Sequence, residues 1–219
     1  MKCGVIIVAA GEGRRLGEAL PKAFVSLGGK PLCQHSLSFF KSHSQIQDII
    51  LVVPPGKENF SQNGSKIVAG GKTRQESVAN GLKVLDEKCD WVLVHDAARP
   101  FVTLENIDKL LDQAKLGHNA ILAHPISDTV KLAEENRIVK TLDRKNLWGA
   151  ETPQLCQVSA LKEALKKAEA NNWAVTDEAS LLEKLGIEVY IVESDATNIK
   201  ITTKKDWQLA ETILKEKRS

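Results

Sequence analysis

The chain has 219 residues, 42% hydrophobic and 26% charged, the make-up of an ordinary globular protein and not of a disordered, collagen-like or low-complexity one. Thirty basic residues against twenty-eight acidic ones leave a formal charge of +2, which gives no reason to expect a nucleic-acid partner, although a local basic cluster would suit a small anion. The apolar run at residues 5–10 is too short to cross a bilayer, its faint signal-peptide pattern stops at Gly11-Glu12-Gly13-Arg14-Arg15, and Cys3, Cys33, Cys89 and Cys156 form no C-x-x-C pair, so neither a disulfide framework nor a zinc site is expected. A cytoplasmic protein without a membrane segment is the expectation.

Residues 4–10 read as a strand buried on both faces, since such a strand has no need to alternate. A glycine-rich loop follows, then a helix over 31–43. A second buried strand is predicted at 48–53, stopped by Pro54-Pro55-Gly56, and a short one at 66–69. Residues 73–85 carry apolar positions near helical spacing, with Thr73 as N-cap and Glu76 completing a capping box. A strand at 91–94, a helix at 104–116 and a strand at 120–123 continue the alternation. It predicts an α/β three-layer sandwich around a mostly parallel twisted sheet.

Residues 128–142 break that rhythm. Val130 and Leu132, then Ile138 and Leu142, flank the polar Glu134-Glu135-Asn136, which is the pattern of a hairpin. A lone hairpin is marginally stable, so it packs on a partner subunit or on its own domain. Helices at 159–170 and 178–185, a strand at 188–192 and a helix at 206–215 complete the chain. With no repeat, linker or composition break, one domain over 1–219 with a hairpin arm near 127–149 is expected.

The loop Ala9-Ala10-Gly11-Glu12-Gly13-Arg14-Arg15-Leu16-Gly17, followed by Pro21-Lys22, offers backbone N–H groups and positive charge to a phosphate. Its glycines at 11, 13 and 17 miss the G-x-G-x-x-G spacing of a dinucleotide fold. Gly71-Lys72-Thr73 ends like a P-loop, but Lys66 stands where the first glycine is required. What remains is a triphosphate loop for phosphoryl or nucleotidyl transfer, in which Arg15 and Lys22 would hold charge around the phosphorus; a solvated charged loop explains the same residues equally well. His95-Asp96 falls where a predicted strand ends, the edge at which open α/β sheets bind ligands. A carboxylate there suits magnesium, while His95 alone reads as a packed core histidine. Residues 198–202 alternate like a strand bearing Lys200.

Seven segments stand in order: Ala-Ala-Gly-x-Gly-x-Arg with Pro-Lys, Gly70-Gly71 with Arg74 and Ser77, His-Asp-Ala-Ala-Arg-Pro, Pro-x-x-Asp-Thr-x-Lys (125–131), Asp-Arg-x-x-Leu-Trp-x-Ala-x-Thr-Pro-Gln (143–154), Thr-Asp-Glu-Ala-Ser (176–180) and Asn-Ile-Lys-Ile-Thr (198–202). Together they resemble the 2-C-methyl-D-erythritol 4-phosphate cytidylyltransferases of the non-mevalonate isoprenoid route. The resemblance implies a Rossmann-like nucleotidyltransferase fold and transfer of CMP from CTP to methylerythritol phosphate, with release of pyrophosphate. It further implies that Arg15 and Lys22 are catalytic and that Ala9, Ala10, Gly11 and Gly13 wrap the triphosphate. Gly71 and Ser77 would read cytosine, Asp96 would lie near Mg2+, and Ala97 and Arg99 would sit close to the nucleotide. Arg144 and Lys200 would hold the acceptor's phosphate, with Thr129, Thr176 and Asp177 lining its pocket. The arm would make a homodimer in which Thr129 and Arg144 serve the neighbour's site. Val8, Ala23 and Lys72 depart from residues common in the family. Fusion enzymes of that route carry a further cyclase domain; none is expected in a chain ending at Ser219.

The competing readings are cytidylyl transfer to another polyol phosphate such as ribitol 5-phosphate, a sugar-nucleotide glycosyltransferase, and an inactive nucleotide-binding regulator. The first generally lacks the paired Asp-Thr-x-Lys and Asp-Arg-x-x-Leu-Trp segments. The second wants Asp-x-Asp, which is absent. The third would tolerate loss of the basic pair better than catalysis does.

Overall fold

The computed structural model describes residues 1–11, 20–60, 64–194 and 197–217. Parallel strands β1 (Cys3–Val8), β4 (Ile46–Val53), β5 (Lys66–Ala69), β6 (Trp91–Asp96), β7 (Asn119–Pro125) and β11 (Val189–Glu193), joined by one antiparallel strand, β10 (Trp148–Gln157), form a seven-stranded sheet in the order β11-β7-β10-β6-β1-β4-β5. Short strands β2 (Ser26–Leu27) and β3 (Lys30–Pro31) pair separately. Successive strand residues face opposite sides, and helices cover both. Val5, Ile7, Leu51 and Leu93 pack with residues of α1 (Leu32–Ser42) and α3 (Leu104–Lys115). Ile6, Ile50, Val92 and Val94 meet α2 (Arg74–Val84), α4 (Val158–Ala170) and α5 (Glu178–Glu183). Helix α6 (Lys204–Glu216) closes a smaller cluster of Leu27, Leu32, Phe101, Ile201 and Ala210.

This is the expected three-layer sandwich, with three local differences. Strand β10 falls in a stretch where no strand is predicted. It buries Glu151, Thr152 and Gln154, so neither an apolar run nor a clean alternation marks it, and its pairing with β7 is broken by an irregularity between Ala150 and Gln154. Residues 198–202 are not a strand: Ile201 makes a single main-chain bond, to the Ala98 carbonyl at 2.9 Å, and its side chain is claimed by the α6 cluster. The capping box at α2 is only half formed. Thr73 accepts from the Glu76 N–H at 3.0 Å, but the Glu76 carboxylate turns to the Lys72 N–H at 2.7 Å.

The hairpin forms, as β8 (Lys131–Glu134) and β9 (Arg137–Thr141), a two-stranded sheet apart from the main one with every residue of both strands exposed. Glu135 and Asn136 take positive φ of 46° and 64°; left-handed conformations at both central positions match the right-handed twist of the flanking strands.

Phe40 is fully buried between α1 and the sheet, edge-on to Phe39 and to the His95 ring at 5.2 Å. Phe40→Ala removes that packing directly beneath the site strand β6, and is expected to cost about 3–5 kcal/mol in urea unfolding. A loss below about 1 kcal/mol would mean that the site is not supported from this face.

Candidate active site

The carboxyl ends of β1, β4, β5 and β6 open into a cleft of about 970 Å3, the edge at which open α/β sheets take ligands. Ala9, Ala10 and Gly11 leave β1, Pro54 and Pro55 leave β4, Gly70 and Gly71 leave β5, and Ala97 and Ala98 leave β6; all line the cleft. The small residues are required by space. A Cβ on Gly70 would lie 2.4 Å from that of Ala10, and one on Gly71 would lie 2.3 Å from that of Glu76. The Gly71 N–H donates to Ser77 Oγ at 3.1 Å, and the Ser77 hydroxyl in turn donates to the Thr73 carbonyl at 2.9 Å, so α2 pins the glycine turn. Among the described residues four basic side chains, Lys22, Lys72, Arg74 and Lys200, line the cleft against two acidic ones, Glu76 and Asp96.

Asp96 ends β6, and its carboxylate lies between two cations: Arg74 Nε stands 3.1 Å from Oδ1 and Lys200 Nζ 2.6 Å from Oδ2. Burial works to raise its pKa, but the charges of Arg74 and then Lys200 overcome that and hold the carboxyl well below the usual carboxylate range. The rest of the Arg74 guanidinium forks onto Glu178, Nη1 to Oε1 at 2.6 Å and Nη2 to Oε2 at 2.9 Å, a bidentate charge-assisted pair. Glu178 is buried at the start of α5, where its N–H and that of Ala179 donate to Gln154 Oε1 at 3.0 and 2.9 Å. Lys22 stands in a 3-10 turn (Lys22–Phe24) after Pro21 and donates from Nζ to the Ile201 carbonyl at 2.7 Å.

His95 is fully buried behind this carboxylate. Its Nε2 lies 3.0 Å from the Arg99 carbonyl, which can only accept, so Nε2 carries the proton. Nδ1 therefore accepts from Thr152 Oγ1 at 3.3 Å, and Thr152 Oγ1 itself accepts from the Asp96 N–H at 3.0 Å. The core-histidine reading fits this geometry.

The cleft thus gathers Ala9, Ala10, Gly11, Lys22, Gly71, Ser77, Asp96, Ala97 and Lys200. Arg15 and Gly13 lie outside the described residues. Arg99 does not line it; its guanidinium turns inward, donating to the carbonyls of Asn198 at 2.6 Å and Ala150 at 3.4 Å. Asp177 caps α5, accepting from the Ser180 N–H at 3.0 Å and from Gln154 Nε2 at 2.9 Å, and Thr176 beside it is exposed. Thr129 and Arg144 are exposed at the base of the hairpin, where Arg144 donates to the Ser127 carbonyl. Neither the buried pair of Arg74 and Glu178 nor Thr152 as the link between Asp96 and His95 is visible in the sequence, although Arg74 follows Gly70-Gly71, Thr152 stands in the segment 143–154 and Glu178 in 176–180.

A family model described as 2-C-methyl-D-erythritol 4-phosphate cytidylyltransferase matches residues 3–216. A Bacillus velezensis protein of that name is 45% identical, over 98% of this chain and 97% of its own. A chloroplastic protein of that name from Oryza sativa is 37% identical over 97% of this chain and 74% of its own. Among solved structures, the Francisella tularensis cytidylyltransferase superposes with a TM-score of 0.85 at 38% identity, covering 97% of this chain and 99% of that one. The Thermus thermophilus enzyme gives 0.85 at 32% identity, covering 98% and 100%.

Burial lowers the His95 pKa to about 4, against the pull of the neighbouring Asp96 charge. The unfolded chain takes up this proton near pH 6.5 and the folded one only near 4. Stability held in full above pH 6.5 is therefore lost as pH falls through that window. The urea midpoint of the wild type is expected to drop between pH 6.5 and 4, and His95→Asn to flatten that part of the profile; an unchanged slope would show that His95 takes up its proton without cost.

Proposed function

The chain belongs to the 2-C-methyl-D-erythritol 4-phosphate cytidylyltransferase family, and on that premise we propose that its cleft transfers CMP from CTP to 2-C-methyl-D-erythritol 4-phosphate in isoprenoid precursor synthesis. An oxygen of the acceptor's phosphate attacks the α-phosphorus of CTP in line, the bond to the β-phosphate oxygen breaks, and pyrophosphate leaves. The attacking phosphate oxygen is already ionised, so no general base is needed. Catalysis is then positioning and charge stabilisation. The observation that carries this reading is the excess of lysine and arginine, among the described residues, around Gly70-Gly71 and Ala9–Gly11, where small residues leave room for a triphosphate.

In this reading Lys22, with Arg15, stabilises charge on the α-phosphate. Gly71 and Ser77 face the base, supported by the turn they build together. Lys200 takes the acceptor's phosphate, supported by a side chain that is 44% exposed on one side and tethered to Asp96 on the other. Arg99 acts near the nucleotide only through the segment it holds, since its Nη1 and Nη2 donate to main-chain carbonyls and the guanidinium does not line the cleft.

Mg2+ fits the donor set in one way. Among the described residues Asp96 and Glu76 are the carboxylates of the cleft, and no cluster of three metal-ligating side chains is present. A hard cation carried mainly by phosphate oxygens needs one protein carboxylate, and Asp96 would supply it once Lys200 turns from Oδ2 to a phosphate. When bound, the ion neutralises charge on the phosphate oxygens.

The hairpin arm, at about 127–149 of a single 1–219 domain, pairs with a second copy to make a homodimer working in the cytoplasm. Leu132, Ile138, Val139 and Trp148 are 41%, 61%, 48% and 37% exposed on it, more apolar surface than a free hairpin keeps. Thr129 and Arg144 line no part of their own chain's cleft, and so complete the acceptor pocket of the partner, with Thr176 and Asp177 at its rim.

Pyrophosphate release with Mg2+, each of the four nucleoside triphosphates, and methylerythritol phosphate or ribitol 5-phosphate tests the reading directly. Turnover is expected with CTP and methylerythritol phosphate alone; turnover with ribitol phosphate would discard the acceptor assignment. Lys22→Ala should lower kcat by about 10²-fold or more with CTP affinity nearly kept, because a charge that acts in the transition state leaves ground-state binding untouched. Equal losses in both would sink that role. Arg144→Ala should raise the KM for methylerythritol phosphate alone. Mixing it with Lys22→Ala subunits should restore part of the activity; no recovery in dimers shown to have exchanged would mean that the sites are not shared.

A further inference from the structure

Behind the cleft, a carboxylate used by none of the steps above collects several donors. Glu151 on β10 is 4% exposed. Its Oε2 accepts from Ser194 Oγ at 2.9 Å and from Asn198 Nδ2 at 2.6 Å. Its Oε1 faces His124 Nδ1 at 2.7 Å, with Arg99 Nη1 further off at 3.9 Å. Asn198 is held at its main chain too, by Arg99 Nη1 on its carbonyl at 2.6 Å, and its amide donates a second bond to the Thr152 carbonyl at 3.1 Å. Two residues on stands Lys200, and next to it Ile201, whose N–H bonds the Ala98 carbonyl and whose own carbonyl receives Lys22.

Burying a carboxylate is costly unless its lone pairs are filled, and here the hydroxyl and amide donors come from one segment. Residues 197–202 form no strand, and side chains do much of the holding there. A further detail shows that the support is built. Gly149 pairs with His124 across β10 and β7, and a Cβ on Gly149 would stand 2.6 Å from the His124 ring. Only glycine lets the imidazole lie over the neighbouring strand and reach Glu151.

We propose that Glu151 is a positioning residue that sets the place of Lys200, with His124 and Gly149 as its supports. The inference rests on the reading of Lys200 as the holder of the acceptor's phosphate. A shift of about 1 Å at a positioning group is enough to cost about 10²-fold, so Glu151→Ala should raise the KM for methylerythritol phosphate by about 10- to 100-fold. CTP affinity by calorimetry should stay within about twofold, because the glycine turn and α2 are not held by this network. Glu151→Gln keeps an oxygen for Ser194 and Asn198 and turns its amide nitrogen to His124 Nδ1, and should return the KM to within about threefold of wild type. His124→Ala, at a side chain 45% exposed, should give the same pattern more weakly.

An unchanged acceptor KM in Glu151→Ala overturns the proposal. So does equal weakening of both substrates without rescue by glutamine, which marks a structural role alone. Should Glu151→Ala fail to fold, an unchanged acceptor KM in His124→Ala overturns it instead. Lys200→Ala, measured alongside, separates the two levels. If it leaves the acceptor KM unchanged, the reading of Lys200 has failed and this inference with it. If it raises the KM while Glu151→Ala does not, only the inference has failed.

Discussion

A buried aspartate between two cations is the constraint on which the rest of the cleft depends. Asp96 is delivered by the centre of the sheet, Arg74 by the first turn of α2, and Lys200 by a segment that belongs to no regular element. Arg74 spends three nitrogens on two carboxylates, and so ties β6, α2 and α5 to one guanidinium. Charge buried in this way adds little net stability compared with a well-packed apolar cluster. Its effect here is geometric, since β6, α2 and the segment bearing Lys200 are registered against the same carboxylate.

In the proposed reading, shape and charge at the triphosphate come from different residues. Ala9, Ala10, Gly70 and Gly71 approach so closely that no larger side chain fits at Gly70, and what they offer is room in a fixed shape, since the N–H groups of Ala9, Gly70 and Gly71 bond within the protein. Lysine and arginine offer charge without direction. A cytidylyl transfer needs both, because the triphosphate must be oriented before charge on the α-phosphorus is worth stabilising.

What the sequence made legible follows from how each element is buried. Strands covered on both faces by helices are continuous apolar runs, so β1, β4 and β6 are read directly, and the turn residues after them mark the cleft. Strand β10 escapes because its inward positions are Glu151, Thr152 and Gln154, polar residues whose partners lie far along the chain at Asn198, Asp96 and Asp177. Arg74 and Glu178, 104 positions apart, look like ordinary surface charges on two helices until the fold joins them. The segment 198–202 is misread as a strand for the opposite reason: its alternation is real, but Ile201 faces the α6 cluster and Lys200 faces the cleft without a neighbouring strand.

That segment also links the two proposed substrates. Lys22 donates to the neutral Ile201 carbonyl, and Lys200 is paired with the ionised Asp96. Moving Lys200 from a carboxylate to a phosphate exchanges one anion for another. If Lys200 holds the acceptor's phosphate as proposed, that side of the cleft is biased toward easy exchange. Although the carbonyl and the lysine sit on adjacent residues, Ile201 has anchors of its own, its N–H on the Ala98 carbonyl and its side chain in the α6 cluster, so the two sides are held separately.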